Sequence, residues 1–186
     1  KPRLVVVTVR GRALAAEAIF QVLKSHFKIN KIQGPSLPWV KSKDEILVLE
    51  VELLRSRVAK EAESLLKNSS QPILVASHIG DIPPDYDFFA GEREMTKEIR
   101  KVAKTLPAFG YLILNFDDET VREIKDETNL KELTFGFQEG ADFRATDIML
   151  NGGTNFKINY KGNVVTIWLD KIFGKEQIYS ALVATV

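Results

Sequence analysis

Five short runs of β-branched and other apolar residues, separated by stretches with helical spacing, constrain this chain more than any other feature. The runs are Leu4-Val5-Val6-Val7-Thr8-Val9, Glu45-Ile46-Leu47-Val48-Leu49-Glu50-Val51, Gln71-Pro72-Ile73-Leu74-Val75-Ala76-Ser77, Phe109-Gly110-Tyr111-Leu112-Ile113-Leu114-Asn115 and residues 131–136. The first is too continuously apolar to alternate between a wet and a dry face, so it reads as a strand buried on both faces, and the second is read the same way. Between them, residues 13–28 carry apolar side chains at Leu14, Ala18, Ile19, Val22, Leu23 and Phe27, the stripe of an amphipathic helix. Residues 53–67 repeat the pattern, residues 92–106 give a third helix and residues 119–128 a short fourth. Strands alternating with helices predict an α/β fold with a parallel sheet flanked by helices on both faces. In such sheets ligands bind at the carboxyl ends of the strands.

The rhythm changes after Gly140. Residues 143–150, 154–160 and 164–169 are strand-like and are separated by Asn151-Gly152-Gly153 and Lys161-Gly162-Asn163, both good hairpin turns. They predict a small three-stranded antiparallel meander packed beside the main sheet, whose aromatic residues Phe143, Phe156, Tyr160 and Trp168 serve packing. The expected organisation is one domain over 1–186: a parallel core over 1–140, an antiparallel subdomain over 141–173 and a closing helix over 174–186.

Composition excludes several function classes. The net charge is +1, from 26 basic and 25 acidic residues, so no global field attracts nucleic acid or anionic membrane. The absence of cysteine excludes disulfides, thiolate catalysis and zinc–thiolate sites, and it agrees with a reducing, cytoplasmic setting. The longest apolar runs are far short of a membrane span. The chain opens at Lys1 and enters a strand almost at once, which suggests a piece of something longer.

The first strand leads through a glycine-containing turn into a helix, the arrangement in which backbone N–H groups and a helix N-terminus cradle phosphates. A working loop reads Gly-x-x-x-x-Gly-Lys-Ser/Thr. In Val7-Thr8-Val9-Arg10-Gly11-Arg12-Ala13-Leu14 only Gly11 is in place, Arg12 stands for the lysine, and Ala13 and Leu14 stand for the hydroxyls. Arg12 can meet a phosphate, but a planar fork does not replace a compact ammonium. The same residues also fit an ordinary βα turn. Glu50, at the end of a strand, is a candidate magnesium ligand because the hard ion takes carboxylate oxygen. It also fits a solvent-facing strand end. His78 is a weaker metal candidate, since imidazole suits softer ions. Asp81, Asp85 and Asp87 read as turn formers beside Pro83 and Pro84. Asn115, Asp117 and Asp118 follow the fourth strand. An amide there can read adenine and a carboxylate can hold ribose hydroxyls, while either aspartate can equally cap the next helix.

These segments resemble the central ATP-binding domain of the Mur ligases, which add amino acids or dipeptides to the muramoyl peptide of bacterial cell walls. The likeness covers nearly the whole chain and implies a P-loop-NTPase-like topology. Leu114-Asn115-Phe116-Asp117-Asp118 is similar to the family's Leu-Asn-x-Asp-Asp segment, which implies adenine and ribose contacts at Asn115, Asp117 and Asp118. Phe135-Gly136 with Ala141-Asp142-Phe143-Arg144-Ala145-Thr146-Asp147-Ile148 is most like the D-alanyl-D-alanine-adding branch. Residues 174–182 look like the helix that closes the domain, usually Gly-x-His-Asn-x-x-Asn-Ala. The resemblance implies ATP and magnesium as cofactors, with Thr8, Gly11 and Arg12 at the phosphates and Glu50 and His78 at the metal. It also implies acyl-phosphate chemistry, in which ATP phosphorylates a carboxylate and an amine displaces the phosphate.

The departures fall on that machinery. The family's Thr-Gly-Thr-Asn-Gly-Lys-Thr-Thr loop appears as residues 8–14, one residue short, and its Thr-Asn-Ile-x-x-x-His segment as Ser77-His78-Ile79-Gly80. Glu176 and Gln177 replace His-Asn in the closing helix. Losing the lysine and a magnesium hydroxyl together should remove several kcal/mol of transition-state stabilisation, since single donors are worth about 2.7–4 kcal/mol. The domains that bind the nucleotide-sugar precursor and the amine lie outside this chain, and a protein partner is the other expectation. Three readings follow: a ligase middle domain with weak or lost ATP binding, a pseudoenzyme or scaffold domain, and a folylpolyglutamate or cyanophycin synthetase relative.

Overall fold

A computed structural model describes residues 4–9, 14–33, 45–51, 56–77, 88–124 and 128–186. Nine strands form one sheet among these residues, in the order β2-β3-β1-β4-β5-β6-β7-β8-β9. The strands are β1 (Leu4–Val9), β2 (Ile29–Gln33), β3 (Ile46–Val51), β4 (Gln71–Ala76), β5 (Tyr111–Asn115), β6 (Lys131–Gly136), β7 (Phe143–Leu150), β8 (Gly153–Tyr160) and β9 (Asn163–Asp170). The helices are α1 (Ala15–Leu23), α2 (Ser56–Asn68), α3 (Phe88–Thr105), α4 (Glu119–Arg122) and α5 (Lys175–Thr185). Strands β1 to β6 pair in parallel, as the α/β pattern predicts.

Period-two alternation sorts the strand residues onto two faces. Leu47, Leu49, Val51, Leu74, Ala76, Leu112 and Leu114 pack with Ala62 and Leu66 of α2 and with Met95, Ile99, Val102 and Ala103 of α3. Ile46, Val48, Val75, Ile113 and Phe135 pack on the other face with Ala15, Ala16 and Ile19 of α1 and Ile178, Leu182 and Val183 of α5. Each fully buried leucine of these layers contributes about 1.5–3 kcal/mol, so both helical layers are needed to cover the sheet.

Several expected boundaries move. Strand β2 was not anticipated: its sequence, Ile-Asn-Lys-Ile-Gln, carries two polar residues in its centre because it lies at the edge. Helix α1 stops at Leu23 instead of residue 28, and the chain from Lys28 onward enters β2. Helix α3 starts at Phe88, ahead of the expected residue 92. Helix α4 is a single turn.

The meander does not sit beside the sheet; it extends it. Strand β7 pairs in parallel with β6 through only Phe135–Phe143 and Gly136–Arg144, and β7, β8 and β9 then run antiparallel. Parallel neighbours ordinarily need a crossover of a dozen residues or more. Here β7 begins beside the last two residues of β6, so the chain does not have to travel back along the strand. Residues 137–142 suffice. Asp142 fills the gap that this stagger leaves: its carboxylate accepts from Thr134 N and Thr134 Oγ1, both at 2.8 Å, where a full-length neighbour strand would have paired. At the far hairpin, Lys161 (φ 48°) and Gly162 (φ 82°) both take positive φ, the two-residue turn whose twist matches the strands it joins.

Candidate functional site

The carboxyl ends of β1, β3, β4 and β5 lie along one side of the sheet, and they divide into two parts with different chemistry. The first part surrounds Thr8. Backbone register places Thr8 beside Glu50 of β3 on one side and Val75 of β4 on the other, so Glu50 and Ser77 flank the end of the strand that would lead into a phosphate loop. Gly11, Arg12 and His78 lie outside the described residues, as do Asp81, Asp85 and Asp87.

Ser77 was not anticipated as a site residue. It is buried, and its hydroxyl has no hydrogen-bond partner among the described residues. A buried hydroxyl left unsatisfied costs about 1–3 kcal/mol, a cost that a ligand oxygen or an ordered water would relieve. The signal available in sequence was its place, the first residue after an apolar strand run. Among the described residues no three carboxylate or histidine side chains gather as a metal cage. Glu50 alone fits magnesium only in the way that ion is commonly held, by one or two carboxylates together with substrate phosphates.

The second part lies at the ends of β5 and β6, and its polar groups are engaged with one another. The Asn115 side chain is buried: Nδ2 donates to Ser77 O at 2.8 Å, and Oδ1 accepts from Asp117 N at 3.0 Å. The amide therefore stitches the end of β4 to the turn after β5. Asp117 accepts three hydrogen bonds. Phe137 N donates to Oδ2 at 2.7 Å, Gln138 N to Oδ1 at 2.9 Å, and Tyr179 Oη to Oδ2 at 2.8 Å. This carboxylate holds the β6–β7 loop and α5 against the end of β5.

Gly136 makes the approach possible. A Cβ there would come within 2.7 Å of Asp117 Oδ1. The Tyr179 hydroxyl is pushed above its ordinary value by burial and by its hydrogen bond to the Asp117 carboxylate. Its ring meets Phe137 edge-on at 4.9 Å, and the Lys175 ammonium lies 5.3 Å from the Phe137 ring and 5.2 Å from the Tyr179 ring. Asp118 caps α4, accepting from Val121 N at 3.1 Å, the alternative that its place before a helix left open. The buried Asn115 amide is committed to the two strand ends, whereas the Asp117 carboxylate uses three of its about four acceptor positions and keeps one for a ligand donor.

Beside them lies an open cavity of about 560 Å³, lined by Asp117, Gln138, Ile148, Leu150, Lys175 and Ile178 among others. Its walls are mainly apolar, with Lys175 at the start of α5 as their cation.

Residues 83–186 match the model of the Mur ligase middle domain. The chain belongs to this family. A UDP-N-acetylmuramate–L-alanine ligase of Persephonella marina is 31% identical over 98 residues, 52% of this chain and 20% of that protein. The ligase of the same name from a Hydrogenobaculum strain is 29% identical over 136 residues, 70% of this chain and 28% of that protein. This Mur ligase domain thus spans less than a third of the length of these curated relatives. Among solved structures, MurF ligase from Thermotoga maritima in complex with ADP superposes with a TM-score of 0.76 at 18% identity, over 99% of this chain and 44% of that one. That likeness establishes the expected α/β fold. No helix among the described residues is long and apolar enough to cross a membrane.

Proposed function

We propose that this chain is the nucleotide-handling middle domain of a Mur-type carboxylate–amine ligase of peptidoglycan synthesis, and that it does not catalyse ligation by itself. The observation that carries the reading is a mismatch within one fold. The domain keeps the sheet of an ADP-binding ligase over 99% of its length, while its loop offers Arg12 and Ala13 where phosphate chemistry wants a lysine and a hydroxyl. Glu50, Thr8 and the Ser77 hydroxyl are the groups that support residual phosphate and magnesium contact. The engaged state of the buried Asn115 amide supports weak holding of the adenosine. ATP, when bound, would supply the phosphoryl group that activates a carboxylate.

The amine substrate is a property of the domains outside this chain. The segment from Phe135 to Ile148 favours the D-alanyl-D-alanine-adding branch, and the names of the curated relatives favour the L-alanine-adding one. Calorimetric titration of Mg-ATP into the folded chain tests the proposal. The expected result is no saturable heat at micromolar nucleotide and no phosphate release. Saturable micromolar binding that Ser77→Ala and Glu50→Gln both abolish, together with phosphate release, would overturn it.

A further inference from the structure

The two edges of the sheet differ. At one edge β2 has five residues and carries Lys31, held in an ion pair with Glu17. Short length and a central lysine are the usual ways of blunting an edge. At the other edge β9 has eight residues, Asn-Val-Val-Thr-Ile-Trp-Leu-Asp, with no proline, no basic residue and its only charge at the last position. No described strand pairs with its outer side.

The hairpin turn fixes which peptide groups face outward. Tyr160 and Asn163 close a two-residue turn, so they exchange both hydrogen bonds and the pattern alternates from there. The N–H and C=O groups of Asn163, Val165, Ile167 and Leu169 therefore face β8. Those of Val164, Thr166, Trp168 and Asp170 point away from the sheet. Val164 is 55% exposed and Trp168 64%. The expectation that Trp168 serves packing fails within this fold, whereas Phe143 and Phe156 are buried and Tyr160 stacks on Phe143.

We propose that the outer edge of β9 is a self-association surface, on which a second copy of this chain pairs antiparallel through its own β9. This goes beyond the ligase reading and does not depend on it. Three features select a second copy. The inner face of β9 continues the core: Ile167 and Leu169 pack against the cluster that contains Phe156 and Ile158, while neighbouring Val165 is 51% exposed. A two-fold axis at Ile167 sets Val165 against Leu169 of the second copy and Ile167 against its equivalent, extending that apolar layer across the axis. The single charge, Asp170, lies at one end of the strand, so antiparallel pairing keeps the two carboxylates apart and parallel pairing would bring them together. Finally, β2 is blunted at the opposite edge, so growth stops at a closed, isologous pair.

Sedimentation of the 186-residue chain from micromolar to millimolar concentration tests this, with hydrogen exchange read at both ends of the range. The expected result is a monomer–dimer equilibrium in which the amides of Val164, Thr166, Trp168 and Asp170 gain protection with concentration, while those of Val165, Ile167 and Leu169 are protected throughout. Thr166→Pro removes an outward N–H without touching the β8 ladder, and should weaken the dimer about tenfold or more, since the two-fold loses two hydrogen bonds. Trp168→Lys should act in the same direction. A monomer at every concentration, a dimer indifferent to both substitutions, growth beyond a dimer, or no change in those four amides would each overturn the proposal. If Thr166→Pro fails to fold, the exchange pattern of the unsubstituted chain decides alone.

Discussion

The two halves of the strand-end region use polar side chains in opposite ways. Around Asn115 and Asp117 each amide and carboxylate group meets a protein donor or acceptor, and the chain gains a rigid corner that joins β4, β5, the β6–β7 loop and α5. Around Thr8 and Glu50 the Ser77 hydroxyl is buried without a partner among the described residues. The comparison teaches that the same strand ends can serve folding or ligand binding, and that hydrogen-bond satisfaction tells which. A group that the protein engages stabilises the fold; an unsatisfied one lowers stability and gains from a ligand.

The sharpest way to break this contrast is Asp117→Ala. It leaves the Phe137 and Gln138 N–H groups and the Tyr179 hydroxyl without their acceptor, and should lower unfolding free energy by about 3 kcal/mol or more in urea, because hydrogen bonds to charged groups are worth about 1.5–3 kcal/mol each and are not additive. Tyr179→Phe removes one of the three and should lower stability by about 1–2 kcal/mol in the same measurement.

The tyrosine also fixes a sign with pH. Its hydroxyl titrates higher in the folded protein than in the unfolded chain, where it ionises near the ordinary value of about 10. The stability it confers is therefore complete below that pH and is lost as pH rises above it. Stability of the unsubstituted protein should fall more steeply above pH ~10 than that of Tyr179→Phe, as urea midpoints across that range would show.

Asp118→Ala removes the cap of a one-turn helix and should cost about 1 kcal/mol. Ser77→Ala should not destabilise the protein and should raise its stability by about 1 kcal/mol or more, since it removes a buried hydroxyl that has no partner among the described residues. A loss from Ser77→Ala as large as that from Asp117→Ala would erase the distinction between the two regions.

The parallel core was legible because its strands are buried on both faces and its helices carry a clear apolar stripe. Strand β2 was not, because an edge strand with Asn30 and Lys31 at its centre has neither signal. The three meander strands were legible from their turns, Asn151-Gly152 and Lys161-Gly162. Their place in the sheet was not, because it depends on the two-residue overlap between β6 and β7 and on Asp142 reaching back to Thr134. At the site, sequence singled out Asn115, Asp117 and Asp118 as a group. It could show neither that Asp117 points at Phe137, Gln138 and Tyr179, the last far along the chain, nor that Ser77 lacks a partner. Both facts arise from tertiary approach, which no local pattern encodes.

The central claim, that the Asn115–Asp117 corner acts as one folding unit, is tested most directly by a double-mutant cycle. Urea unfolding of Asp117→Ala, Tyr179→Phe and the double variant gives the coupling between the two side chains. The predicted coupling is about 1 kcal/mol or more, as for residues sharing one hydrogen-bond network. Additivity within about 0.3–0.5 kcal/mol, the behaviour of independent sites, would contradict the account.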